Sequence, residues 1–145
     1  MQSDEKKALA GQLFNGCWDL LEKSVRTSDD DVMLLTSAFA SKYLWLDIGG
    51  PQELAVGDWM ISRAAAATGF GDLAVAFAQR AVDNSPSEPD WLVASAAEGL
   101  ARAYAAAGDT ARREEWTATA ASLVEAIVDA EDRALIANQL ASIPE

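Results

Sequence analysis

Alanine constrains this chain more than any other feature: it supplies 30 of the 145 residues, and 26 of those 30 fall from Ala55 onward. Alanine is the strongest intrinsic helix former, and its small side chain lets helices approach closely, so the later part reads as short, tightly packed helices. Alternation of β-branched and aromatic residues with a period of two is missing, whereas apolar residues recur three and four apart between breakers. The sequence therefore predicts an all-α fold. A chain of this length forms one domain and buries roughly 70% of its unfolded surface, enough for a core without disulfides or metal.

Breakers divide the chain into seven predicted helices. The first opens at Ser3 as N-cap, with Asp4 and Glu5 at the positive end of the helix dipole, and runs to about Val25 on a stripe of Leu9, Leu13, Cys17, Leu20 and Leu21. The second starts in the Thr27–Asp31 run and repeats Val32, Leu35, Phe39, Tyr43 and Leu46 at helical spacing until Gly49-Gly50-Pro51. Pro51 suits the first turn of a third helix that ends near Gly69, and Gly71-Asp72 starts a fourth that reaches about Asn84. After the Ser85–Pro89 loop come a fifth helix through Trp91 and Tyr104, a sixth after Gly108-Asp109, and a seventh from Asp129 to Ile143 that caps the last hairpin.

A shift of 39 residues superposes Arg63-Ala64 on Arg102-Ala103, Gly69 on Gly108, Phe77 on Trp116 and Ala81 on Ala120. Gly69, Ala74, Ala81 and Pro86 then resemble the tetratricopeptide repeat, a helix-turn-helix unit with small residues at the helix crossings. Tyr104, Gly108 and Ala120 fit the second copy, while Arg113 and the long repeat depart from the pattern. The resemblance covers Asp58 to Ala120 and implies a right-handed superhelix of three antiparallel hairpins plus a capping helix. Phe14-Asn15, Trp18–Glu22, Arg26-Thr27, Ala38–Trp45 and Gly57-Asp58-Trp59 with Ser62-Arg63 are also similar to small actinobacterial tetratricopeptide-like proteins. That group carries histidines in the second-helix segment, where this chain has Phe39 and Leu44, so the resemblance brings a fold and no metal or acid–base role.

The absence of histidine removes imidazole-based triads, His-ligated metals and a proton switch near neutrality. The single Cys17 forms no internal disulfide and sits on an apolar stripe, as an inert buried thiol does. A net charge of −12 disfavours nucleic acid and anionic membrane surfaces, and no apolar run is long enough to span a bilayer. These features point to a cytoplasmic, non-catalytic protein without cofactor or metal. Asp29-Asp30-Asp31 has the dipole placement of a helix start and lacks the spaced oxygens of a calcium loop.

Five tryptophans supply the candidate site. Trp18, Trp45 and Trp59 fall on the first three helices with polar companions Asn15, Lys42, Asp58 and Arg63, the combination that a peptide groove or an amide- and carboxylate-recognising pocket requires. The leading expectation is a helical-repeat domain that binds a peptide or protein on an acidic concave face, and so a partner of basic character. A small-ligand pocket enclosed by the first three helices is the alternative, and a homodimer through an apolar end is compatible with both.

Overall fold

The computed structural model describes all 145 residues as seven helices and no strand: α1 (Ser3–Leu21), α2 (Ser28–Ile48), α3 (Pro51–Ala67), α4 (Gly71–Asn84), α5 (Asp90–Ala107), α6 (Thr110–Glu125) and α7 (Ala130–Ala141). Helix starts follow the expected chemistry in most places. Thr27 and Asp30 form a reciprocal capping box at the head of α2, and Lys23 with the Thr27 backbone amide holds the Asp30 carboxyl below its ordinary range. Pro51 opens α3, and Asp109 and Asp129 cap α6 and α7 through their side chains. Gly69 and Gly108 adopt positive φ at the ends of α3 and α5, a conformation that other residues resist.

The first helix differs from expectation at both ends. Ser3 is its first residue rather than its cap, and the N-cap Gln2 makes no side-chain bond. The helix stops at Leu21, short of Val25, because Lys23, Ser24 and Val25 are exposed and have no apolar surface to meet. Arg26 instead fixes the connection: its Nε donates to Asp31 Oδ1 at 2.8 Å and its Nη2 to the Ala67 carbonyl at 2.9 Å, a cation at the negative end of α3.

Helix backbones approach one another only between sequence neighbours and along the series α1, α3, α5, α7. The odd helices thus form one layer, backed by α2, α4 and α6. Small residues set the spacing between the two layers. Ser41 donates to the Ala10 carbonyl and Ser62 to the Ala74 carbonyl, both at 2.8 Å, and these contacts need close backbones. The main core gathers Cys17, Leu34, Ala38, Met60, Ile61 and Ala64; a second cluster holds Ala65, Ala74, Leu100 and Ala103, and a third joins Ala94, Val124 and Ile127 to Ile136 of α7. Burial pushes the Cys17 thiol up to about 11, and the thiol lies 3.8 Å from the Leu34 carbonyl.

Of the stripe expected to bury α2, only Leu35 packs against the core, and the rest faces outward. Val32, Phe39, Tyr43 and Leu46 are exposed, while Leu34, Ser37, Ala38, Ser41 and Lys42 face the protein. The inner stripe contains the small residues that allow α2 to lie against α1, and the bulky stripe is left on the outside. Phe39 finds a partial partner in Phe77 of α4, edge-on at 5.6 Å between ring centres.

Gly71 is where the second and third hairpins come closest. A Cβ there would lie 2.7 Å from Ala107 Cα and 2.9 Å from the Ala106 carbonyl, both backbone atoms of α5. Gly71→Ala is therefore expected to destabilise the fold by about 2 kcal/mol despite its better helix propensity. Gly11→Ala and Gly16→Ala in α1 have nothing within 4 Å of the new methyl group and serve as the contrast, each expected to stabilise by about 0.5–1 kcal/mol. Thermal melts followed by far-UV circular dichroism separate the two; equal shifts for all three would show that the hairpins are not locked at Gly71.

Candidate functional site

The outer face of the odd helices carries two adjoining clefts. The first, of about 380 Å³, is walled by Phe14 and Trp18 from α1, Trp59 from α3, Trp91 from α5, and Ile136 and Gln139 from α7. The second, of about 370 Å³, runs toward the C-terminal ends of the same helices and holds Arg26, Arg63 and Arg102, with Glu22 and the alanines 66, 67, 105 and 106. Trp18 lines both clefts and forms the shared edge. One face thus offers an apolar aromatic half and a cationic half.

Arg63 joins the halves. Its guanidinium stacks 5.1 Å from the Trp18 ring and 5.5 Å from the Trp59 ring, and those rings lie 5.7 Å apart. The Arg63 Nη1 approaches Glu98 Oε1 to 3.5 Å without hydrogen-bond geometry. Glu98 is fully buried, and Arg102 donates to that same Oε1 from Nε at 3.0 Å and from Nη2 at 2.8 Å. Arg102 also reaches the Gln139 carbonyl and Ser142 Oγ, each at 2.9 Å, which fixes α7 to α5. Burial, and then the like charge of Arg102, lowers the Arg63 pKa to about 10 against the opposing pull of Glu98.

Four buried polar atoms in the chain have no hydrogen-bond partner within the protein: Trp59 Nε1, Arg63 Nη1, Glu98 Oε2 and Gln139 Oε1. They belong to the residues around these clefts, and the concentration is informative because most buried polar groups in proteins are paired. Trp59 is only 9% exposed and lines the aromatic cleft. Gly99 seats its indole, since a Cβ there would stand 2.8 Å from Trp59 Cδ1 and 3.1 Å from Nε1. Trp59 and Gln139 both line this largely apolar cleft, and each keeps a buried polar atom without a partner, the indole N–H and the amide oxygen.

The sequence-predicted residues separate into three groups. Trp18, Trp59 and Arg63 come together on the odd-helix face as expected. Lys42 and Asp58 do not join them: Lys42 Nζ bonds Asp58 Oδ1 and the Leu54 carbonyl, both at 2.8 Å, inside the α2–α3 contact. Trp45 packs beside the turn after α2, its Cε3 3.1 Å from where a Gly49 Cβ would stand, and Asn15 is exposed on α1. The pocket expected among Asn15, Trp18, Lys42, Trp45 and Trp59 is therefore not formed, because the inward stripe of α2 takes Lys42 away from the face that holds Trp18 and Trp59.

No family model, curated protein or solved structure matches the chain. The site consequently rests on its own geometry. Glu98, Gly99, Arg102, Trp91 and Gln139 belong to it and lie outside the sequence-predicted set. A signal for part of it exists in the 39-residue shift, which pairs Arg63 with Arg102 and sets Glu98 at the place of Trp59. A glycine inside a helical pattern, as at Gly99, is the other available sign of a close approach. No helix is long and apolar enough to cross a membrane.

Proposed function

We propose that this chain is a non-catalytic, tetratricopeptide-like interaction domain that holds an extended peptide segment of a protein partner along its odd-helix face. Backbone contacts limited to sequence neighbours and to α1, α3, α5, α7 in succession support a repeat arrangement that presents one continuous face. The observation that carries the reading is Trp59 itself, nine-tenths buried, lining an apolar cleft and keeping an indole N–H that no group of the protein accepts. A peptide amide meets this arrangement with both of its groups. Its carbonyl accepts from Trp59 Nε1, its N–H donates to Gln139 Oε1, and an adjoining apolar side chain enters between Trp18, Trp91 and Phe14.

Selection of a random-peptide display library on the immobilised full chain tests this reading. Sequence families rich in apolar residues should emerge and shift tryptophan emission on titration. Trp59→Phe, which keeps an aromatic ring and loses the N–H, should weaken them by about tenfold, the value of one buried hydrogen bond. Peptides that bind Trp59→Phe and Trp91→Ala as well as the parent would remove the cleft from the interaction. Failure to enrich any family would remove the peptide reading itself.

A further inference from the structure

The cationic half of the face has a charge arrangement that the peptide reading leaves unused. Among the groups lining or backing it, Arg26 is paired with Asp31, and Arg102 saturates Oε1 of Glu98 with two of its donors. Arg63 is left with no carboxylate in hydrogen-bond geometry. Its Nη1 is closed off from water beside Glu98, at 3.5 Å and without hydrogen-bond geometry, while its side chain keeps 15% exposure in this cleft and stacks on the Trp18 and Trp59 rings. Glu22, also in this cleft, is exposed at the C-cap of α1 and makes no ion pair with Arg63. A guanidinium buried to this degree is costly to keep charged, Glu98 is shared with Arg102 and compensates it only in part, and a carboxylate on the exposed side of Arg63 would supply the rest.

We propose that Arg63 is a carboxylate-binding residue that takes an acidic side chain of the bound segment, with Trp18 separating that carboxylate from the apolar side chain seated in the aromatic cleft. This rests on the peptide reading above and adds to it a partner chemistry, an acidic residue close in sequence to an apolar one. It also reverses the expectation of a basic partner drawn from the net charge of −12. The global charge repels acidic segments at long range, but a Debye length of about 8 Å at physiological ionic strength leaves the contact itself to the local groups, and in this cleft three arginines outnumber the one carboxylate, Glu22.

The test uses the peptides selected on the full chain. Each winning peptide containing Asp or Glu is made again with Asn or Gln at that place, and both forms are titrated against the parent protein and against Arg63→Gln. The acidic form should bind the parent about tenfold more tightly than its amide counterpart, as for one charged hydrogen bond, and the two should bind Arg63→Gln within about twofold of each other. The comparison on the parent protein needs no variant, so it stands even where Arg63→Gln perturbs the fold. Winning families without an acidic residue, or an acid preference that Arg63→Gln retains, would overturn the carboxylate site and leave the peptide reading intact. Displacement of the peptide by inorganic phosphate or acetate at concentrations comparable to the peptide's would assign the pocket to a free anion and overturn the docking of a side chain.

Discussion

Asp58→Asn is expected to lower the unfolding free energy by about 3–5 kcal/mol, the cost of leaving one member of a buried ion pair without its partner. The Lys42 side chain is 9% exposed and that of Asp58 3%, and their 2.8 Å contact lies between α2 and α3. Lys42 is held there by more than charge. Its aliphatic stem crosses Gly57, where a Cβ would come within 2.8 Å of the lysine Cδ, so the missing side chain at Gly57 makes the channel in which the stem lies. Its ammonium gives a second hydrogen bond to the Leu54 carbonyl. Arg80 reaches Asp58 Oδ2 at 3.6 Å, but it is more than half exposed and contributes little in water. With asparagine at position 58 the ammonium keeps one carbonyl and loses its counter-charge. Urea denaturation measures the loss, and a cycle with Lys42→Met separates pair from environment: the double variant should lose less than the sum of the singles by about 1–3 kcal/mol. Additive losses would mean that the two residues stabilise the fold independently.

That pair also marks where the sequence stops being legible. Helix boundaries are set by local chemistry, so Gly49-Gly50-Pro51, the Ser85–Pro89 loop and Gly108-Asp109 place the turns close to where the structure has them. Which side of a helix faces inward is a tertiary question. In α2 apolar residues occur nearly all round, and periodicity alone selects the bulky stripe of Val32, Leu35, Phe39, Tyr43 and Leu46, of which only Leu35 meets the core. Packing selects the stripe with Ala38, Ser37 and Ser41, because only small residues let α2 approach α1 closely enough for Ser41 to reach the Ala10 carbonyl. Once α2 is turned this way, Lys42 becomes internal and needs Asp58. The same limit applies to the site. Trp18, Trp59 and Arg63 converge because they share a face of the successive odd helices α1 and α3. Glu98 and Gln139 read in sequence as ordinary polar helix residues, and only the stacking of α5 onto α3 and of α7 onto α5 sets Glu98 behind the arginines and Gln139 in the aromatic cleft.

Glu98→Gln is expected to cost a further class of stability, about 3–5 kcal/mol, and to lower the melting temperature by on the order of 10 °C for a chain of this size. Glu98 is the one carboxylate that Arg63 and Arg102 both approach, at 3.5 and 2.8 Å, and its side chain has no exposure to water. Glutamine keeps the volume and one acceptor but leaves two part-buried guanidiniums facing each other without a negative charge. Arg63→Met removes the more weakly paired cation and is expected to change stability little by itself, and to recover part of the loss when added to Glu98→Gln. The sign of its pH dependence follows from the lowered Arg63 pKa: the folded protein releases that proton before the unfolded chain does, so the parent should gain stability relative to Arg63→Met as pH rises through about 10. Denaturation midpoints for the parent, the two single variants and the double variant, taken near neutrality and again above pH 10, test both statements. A Glu98→Gln protein as stable as the parent would show that Arg102 is held by Ser142 and the Gln139 carbonyl alone, and that the arginines do not depend on the carboxylate between them.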